Sequence, residues 1–215
     1  MSGATPGTLP DLTGFRAISE AGARHAATAL SQMIGRPVQL DVPWARAVPL
    51  EKVAEIAGGA SRVVCALYLK VYGEARGNLL LLFGREQIPA LLRLVMRDAE
   101  PGRGDVEGHD LSDMQDSALR EVGNILAAAY LNAVSHMLGA SLLPSIPGLA
   151  VDMVGAVTDQ LIIELAPITD QAVVLASEIH EPSSGVRGEF FFLPDPGALP
   201  ALQRVRAPLK PGAAP

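Results

Sequence analysis

The sequence predicts a mixed α/β domain built from two similar halves, and three observations carry that prediction. Long stretches with apolar residues at helical spacing alternate with short runs rich in β-branched and aliphatic residues, which read as strands. A polar, glycine-rich stretch, "AEPGRGDVEGHD" (99–110), divides the chain near its middle. The chain also repeats itself. Slid by 104 residues, 16–35 overlies 120–139 with identical pairs Arg16/Arg120, Ala23/Ala127, Ala29/Ala133, Ser31/Ser135, Met33/Met137 and Gly35/Gly139. Pro43 matches Pro147 at the same offset, and further on "GNLLLLF" (77–83) overlies "GEFFFLP" (188–194) at an offset of 111. Two alanine-rich helices can resemble each other by chance, but the shared helix stops and the shared proline favour an ancestral duplication.

In chain order, a helix fills 14–34 and ends at Gly35, a residue suited to the left-handed turn that stops helices. "RPVQLDVP" (36–43) alternates like a strand, and "SRVVCALYLKVYG" (61–73) and "GNLLLLFG" (77–84) read as strands. "REQIPALLRLVMRD" (85–98) reads as a helix with Pro89 in its first turn. After the linker, Ser112 and Gln115 form a capping-box pattern that opens a second long helix, which Gly139 closes. Strands are expected near 150–157, 160–166, 172–180 and 188–193, with a short helix near 196–205. The expected organisation is one domain over 13–208, made of repeats 13–98 and 111–208 joined by the linker 99–110. The segments 1–12 and 209–215, rich in Gly, Pro and small residues, are expected to be loose tails.

Composition narrows the function classes. Of the 215 residues 49% are hydrophobic but only 4% aromatic, so the core must be built from Ala, Leu, Val and Ile. The net charge of −6 argues against a nucleic-acid or anionic-membrane surface, which needs clustered positive charge. A single cysteine, Cys65, precludes an internal disulfide and suits a reducing compartment; it lies in "VVCALYL" and reads as a small core residue. "MSGATPGTLPD" lacks the basic and apolar regions of a secretory signal, and no apolar run approaches the ~18 residues that span a bilayer. A cytoplasmic protein is expected.

The second long helix, "SALREVGNILAAAYLNA" (117–133), holds the candidate chemistry. Met114, Ala118, Val122, Ile125 and Ala129 are expected to form its buried stripe, with Asp113, Ser117, Glu121, Asn124 and Ala128 on another face. Glu121 and Asn124, three apart, would then stand side by side facing solvent, with small Ala127 and Ala128 beyond them leaving room for a partner. A carboxylate can pair with a partner's cation, and a carboxamide can both donate to and accept from a water. Asparagine is a mediocre helix former, so its place here asks for a reason. Spacing alone nevertheless favours the plain reading, a solvated helix face. Asp105, Glu107, His109 and Asp110 sit in the glycine-rich linker without matching ligands elsewhere and read as a solvated loop, so no metal site is expected. His25, His136 and His180 show neither ligand spacing nor triad partners, and no phosphate-cradling glycine loop is present.

"SALREVGNILAAAYLNAV" resembles the signature helix of the CheC-type chemotaxis phosphatases (the CheC/CheX/FliY group, and CheC most of all): an acidic or Ser residue, three residues, Glu, two residues, Asn. Ser117, Glu121 and Asn124 match it. The resemblance continues through "LLPSIPGLAVDMVGAV" and through residues 24–83 of the first half, leaving out little beyond the tails. It implies a fold in which the two halves share one β-sheet flanked by helices. It implies hydrolysis of the aspartyl phosphate on a CheY-type response regulator, with Asn124 holding the attacking water and Glu121 pairing with a regulator lysine. No cofactor is then needed on this chain, because Mg²⁺ belongs to the regulator. The resemblance also implies CheD, a receptor deamidase, as a possible partner, and Asp152 in "VDMVGAV" as a candidate docking residue; a strand-end carboxylate satisfied by a nearby backbone donor is the equal alternative.

One departure stands out. Family members commonly carry the motif in both halves, but at the 104-residue offset Glu121 corresponds to Ala17 and Asn124 to Glu20. Ala17 has nothing to pair with a lysine, and the Glu20 carboxylate is an acceptor that repels phosphate. One working site per chain is expected, with Glu20 free to pair with Arg24 four residues on. A different class of function remains open: an adaptor that binds CheD or the regulator and hydrolyses weakly. A flagellar-switch component of the FliY kind would need an added switch-binding domain.

Overall fold

The computed structural model describes residues 13–96 and 111–204. Its elements run α1 (Thr13–Ile34), β1 (Gln39–Pro49), α2 (Val53–Ile56), β2 (Val63–Gly73), β3 (Gly77–Gly84) and α3 (Ile88–Val95). The second half gives α4 (Asp113–Leu138), β4 (Leu142–Pro144), β5 (Gly148–Met153), α5 (Val154–Leu165), β6 (Gln171–Glu181), β7 (Val186–Pro194) and α6 (Leu199–Gln203). The expected linker 99–110, with Asp105, Glu107, His109 and Asp110, lies outside the described residues, as do 1–12 and 205–215.

All seven strands join one antiparallel sheet in the order β1-β6-β7-β3-β2, with β4 and β5 both paired to β2 at the far edge. The halves exchange strands. β1 of the first half pairs with β6 of the second, and β5 of the second pairs with β2 of the first. β3 and β7, the two segments related by the 111-residue offset, meet at the centre. A pseudo-twofold axis therefore passes between them, and the sheet belongs to both halves at once.

Local contacts repeat with the sequence. Gly35 and Gly139 both take positive φ, 69° and 64°, to end α1 and α4. Just beyond each, the Ser31 hydroxyl accepts from the Val38 amide at 2.9 Å and the Ser135 hydroxyl from the Leu142 amide at 3.1 Å. Val38 and Leu142 are themselves 104 apart, so the duplication extends to individual hydrogen bonds. A short 3-10 turn leads into a helix with proline in its first turn in each half, Pro89 in α3 and Pro200 in α6.

The sheet is covered on both faces, which explains why every residue of β3 is buried. One face, with Leu67, Leu79, Leu81, Phe83, Phe190 and Phe192, packs against Phe15 and Ile18 of α1 and Leu119, Val122 and Leu126 of α4. The other, with Ala66, Leu80, Leu82, Val174 and Phe191, packs against Val53 of α2 and Val154, Leu161 and Leu165 of α5. At the helix pair over the first face, Tyr130 lies fully buried against Phe190, ring centroids 4.9 Å apart, with its hydroxyl 3.3 Å from the Ser19 hydroxyl. Gly22 faces that ring so closely that a Cβ would sit 2.5 Å from it, so glycine is required where α1 and α4 cross.

Several expectations fail in informative ways. The strand expected at 160–166 is the second half of α5, and the one expected at 150–157 becomes helix after Met153. The run "VGAVTDQLIIEL" is rich in β-branched residues, but its buried positions Val154, Thr158, Leu161 and Leu165 recur at helical spacing. The Thr158 hydroxyl donates to the Val154 carbonyl at 2.9 Å, so its polar group is satisfied within the helix. β1 continues to Pro49, well past position 43, and α2 and β4 carry no clear sequence signal. The buried stripe of α4 is also displaced. It runs through Gln115, Leu119, Val122, Leu126 and Tyr130, whereas Met114 is 64% exposed. Ala127 is fully buried, so of the two small residues Ala128 alone borders the surface.

Candidate active site

The site is built on α4 because three constraints hold that helix. The expected capping box is present: the Ser112 hydroxyl accepts from the Gln115 amide at 3.3 Å, and the Gln115 side-chain oxygen accepts from the Ser112 amide at 2.9 Å. The buried stripe seats the helix on the sheet. Arg120 then ties it sideways, donating to both Asp116 carboxylate oxygens and to the Pro147 carbonyl in the connection between β4 and β5. Asp116 and Arg120 stand four apart, so their pairing was readable from spacing; the reach to Pro147 was not.

On this braced helix Ser117, Glu121 and Asn124 are all exposed, on the face the sequence assigned to them. Residues one turn apart have Cβ atoms about 5–6 Å from each other, so a carboxylate and a carboxamide are offered side by side. Neither side chain hydrogen-bonds to any described residue. Among the described residues nothing draws on the hydrogen-bonding capacity of either. The carboxamide offers one acceptor and two donor hydrogens, enough to hold a water and touch an oxyanion together.

The corresponding face of α1 is chemically different. Ala17 offers no polar group, and Glu20 is occupied, accepting from the Arg16 guanidinium at 2.9 Å. The expected Glu20–Arg24 pair is therefore replaced by a pair one turn in the other direction, since Arg16 is equally four residues away. Asp152 is exposed near the end of β5, where its carboxylate accepts from the Met153 amide at 2.7 Å. That is the backbone satisfaction weighed above, and it leaves the second carboxylate oxygen to solvent.

Cys65 is buried in β2, and burial pushes its thiol up to about 12, which suits a core residue and not a nucleophile. No group of three or more His, Cys, Asp or Glu among the described residues could hold a metal ion. Among them, too, no helix is long and apolar enough to cross a membrane.

Residues 114–149, which contain the whole Ser117–Glu121–Asn124 face, match the profile of the CheC-like family. Across its length the chain is similar to the CheY-P phosphatase CheC of Bacillus subtilis (strain 168), with 30% identity over 185 residues, covering 84% of this chain and 86% of that one. Among solved structures it resembles Thermotoga maritima FliY, with a TM-score of 0.66 at 20% identity, covering 94% of this chain and 96% of the other. It also resembles a chain of the CheX–CheY–BeF3–Mg²⁺ complex from Borrelia burgdorferi, with a TM-score of 0.54 at 14% identity and coverage of 82% and 96%. At these identities the two structural likenesses bear on the fold.

Proposed function

The chain belongs to the CheC-like family, and on that premise we propose that it is a phosphatase that hydrolyses the aspartyl phosphate of a CheY-type response regulator. The observation that carries the reading is the Glu121–Asn124 pair: exposed, adjacent, unsatisfied within the described chain, and mounted on a helix that is capped, buried along one side and clamped by Arg120. Unpaired polar side chains on a rigid element suit a task of positioning.

The chemistry asks for little more. An acyl phosphate is already reactive. Water attacks phosphorus, the bond from phosphorus to the carboxylate oxygen breaks, the aspartate is regenerated and inorganic phosphate leaves. The Asn124 side-chain oxygen accepts from the water while its amide hydrogens face the phosphoryl oxygens. Glu121 pairs with a regulator lysine and sets the distance of approach. Mg²⁺, held by the regulator, offsets the phosphoryl charge. The contribution of this chain is orientation. An acceleration of about a hundredfold corresponds to roughly 2.7 kcal/mol, within reach of one well-held amide in good geometry.

The test is the decay of regulator phosphate measured at several concentrations of this chain. Asn124→Ala is expected to lose most of the acceleration while keeping the fold, because the side chain is exposed and alanine is the better helix former. Glu121→Ala is expected to act mainly through weaker binding. Wild-type decay with Asn124→Ala would remove the water-positioning role and leave an adaptor as the better reading. CheD is proposed as a second partner, docking at Asp152; Asp152→Lys should weaken a CheD titration and spare hydrolysis, and an unchanged affinity would take Asp152 out of the interface.

A further inference from the structure

Further along α4 from the Glu121–Asn124 pair, α1 and α4 enclose an open groove of about 400 Å³ lined by Arg24, His25, Thr28 and Gln32 of α1 and by Ala129 and Asn132 of α4, with Ala29 also on its wall. Arg24 supplies its fixed positive charge, and no carboxylate lines it, although the chain carries 23 Asp and Glu against 17 Lys and Arg. Arg24 is exposed and has no ion-pair partner among the described residues, because Glu20, the carboxylate one turn before it, is engaged by Arg16. Gln32 and Asn132 are likewise exposed, without side-chain partners among the described residues.

The groove lies within reach of anything that docks on the catalytic pair. Asn132 follows Glu121 by three turns along nearly the same line of the helix, and at 1.5 Å per residue it stands about 12 Å beyond Asn124 along the axis. A specific interface covers about 800 Å² per partner, a patch roughly 30 Å across, so a regulator seated on Asn124 also covers the groove.

We propose that this groove is a second anchor for the regulator, in which Arg24 receives an acidic segment bordering the phosphorylation site. The proposal rests on the phosphatase reading and deepens it. A site that holds Mg²⁺ does so through carboxylate oxygens, so acidic residues gather at such a phosphorylation site, and one beside it that the metal does not engage is the counterpart for Arg24. Glu121 on α4 then meets a cation of the regulator while Arg24 on α1 meets its anions. Two contacts of opposite sign on two helices fix the rotation of the docked partner, which a single pair cannot do, and like-charge contact penalises the reversed pose. The same pairing accounts for Glu20: by engaging it, Arg16 keeps its carboxylate from competing for Arg24.

The experiment measures regulator-phosphate decay for kcat and KM, and separately titrates the regulator loaded with beryllofluoride and Mg²⁺. Arg24→Ala should raise KM and the dissociation constant roughly three- to tenfold with kcat little changed, Arg24→Glu should raise both further, and Arg24→Lys should restore most of the binding. The dependence of KM on salt should flatten in Arg24→Ala, a readout that a purely structural role would not move. Unchanged KM, dissociation constant and salt dependence in Arg24→Glu would overturn the anchor while leaving the phosphatase intact. A wild type that binds the loaded regulator without accelerating its decay would defeat the phosphatase reading, and the titration would still decide the groove. A wild type that does neither overturns both.

Discussion

Asn124 and Glu20 occupy equivalent positions on equivalent helices and have opposite fates. Asn124 is exposed with its amide unused, whereas Glu20 accepts from Arg16 at 2.9 Å. That surface pair adds at most a few tenths of a kcal/mol to α1, so its importance is chemical: it holds a carboxylate where a water-positioning amide would be needed. Under one assay, Glu20→Ala is therefore expected to leave hydrolysis close to wild type and Asn124→Ala to abolish most of it. Comparable losses from the two would refute a single site per chain. That Ser117, Glu121 and Asn124 share one side of α4 was legible in the sequence, because polar residues three and four apart stand together on a helix. The partner of Glu20 was not, because Arg16 and Arg24 are equidistant along the helix and the choice between them depends on what lies beside each.

At the scale of elements, α4 is the longest helix among the described residues and the platform of the proposed site, and its beginning is held by two hydrogen bonds between Ser112 and Gln115. Ser112→Ala removes the cap that accepts from the Gln115 amide and should cost about 1 kcal/mol, a fall of roughly 2–4 °C in Tm for a domain of this size. Thermal unfolding followed by circular dichroism would measure it, and because Glu121 and Asn124 lie two turns or more along the helix, the rate of hydrolysis at 25 °C should stay near wild type. An unchanged Tm would mean that the first turn is held by something other than its cap. The element that misled the sequence reading, α5, shows the limit of propensity. Val154, Val157, Ile162 and Ile163 favour strand individually, yet the stretch is helical because its apolar positions at helical spacing cover the second face of the sheet.

For the molecule as a whole, the tip that joins β6 to β7 gives stability a pH dependence. Glu181 is buried there, and burial pushes its carboxyl up. The Ser183 hydroxyl and amide, at 2.6 and 3.0 Å, and the Ser184 amide, at 2.7 Å, outweigh burial and bring it down from 4.5 to about 2. A carboxyl lowered by folding binds its proton more readily in the unfolded chain. The stability it contributes is therefore complete above about pH 4.5 and is lost as pH falls toward 2. Glu181→Gln should lower stability near neutral pH by roughly 1–3 kcal/mol, since buried donors lose a charged acceptor. Denaturant titrations across pH 2–7 should show the gap between wild type and Glu181→Gln closing within that acid window. A constant gap would mean that the hydrogen bonds to Glu181 do not depend on its charge.

By itself the sequence determined what depends on neighbours along the chain. The caps at Ser112, Gly35 and Gly139, the helical face of Ser117, Glu121 and Asn124, the strands of the central sheet and the two-fold repeat all follow from residues within a few positions of one another, or from comparing the chain with itself. Tertiary structure decided what depends on contacts between distant segments. β1 crosses to β6 and β5 to β2, so neither half completes its own sheet. The ring of Tyr130, admitted by Gly22, helps set which side of α4 is buried, and this is why the buried stripe, Val122 apart, lies one position along from the one that periodicity suggested. In an alanine-rich helix several faces are apolar enough to be buried, and the choice among them falls to the partner surface that fills the space.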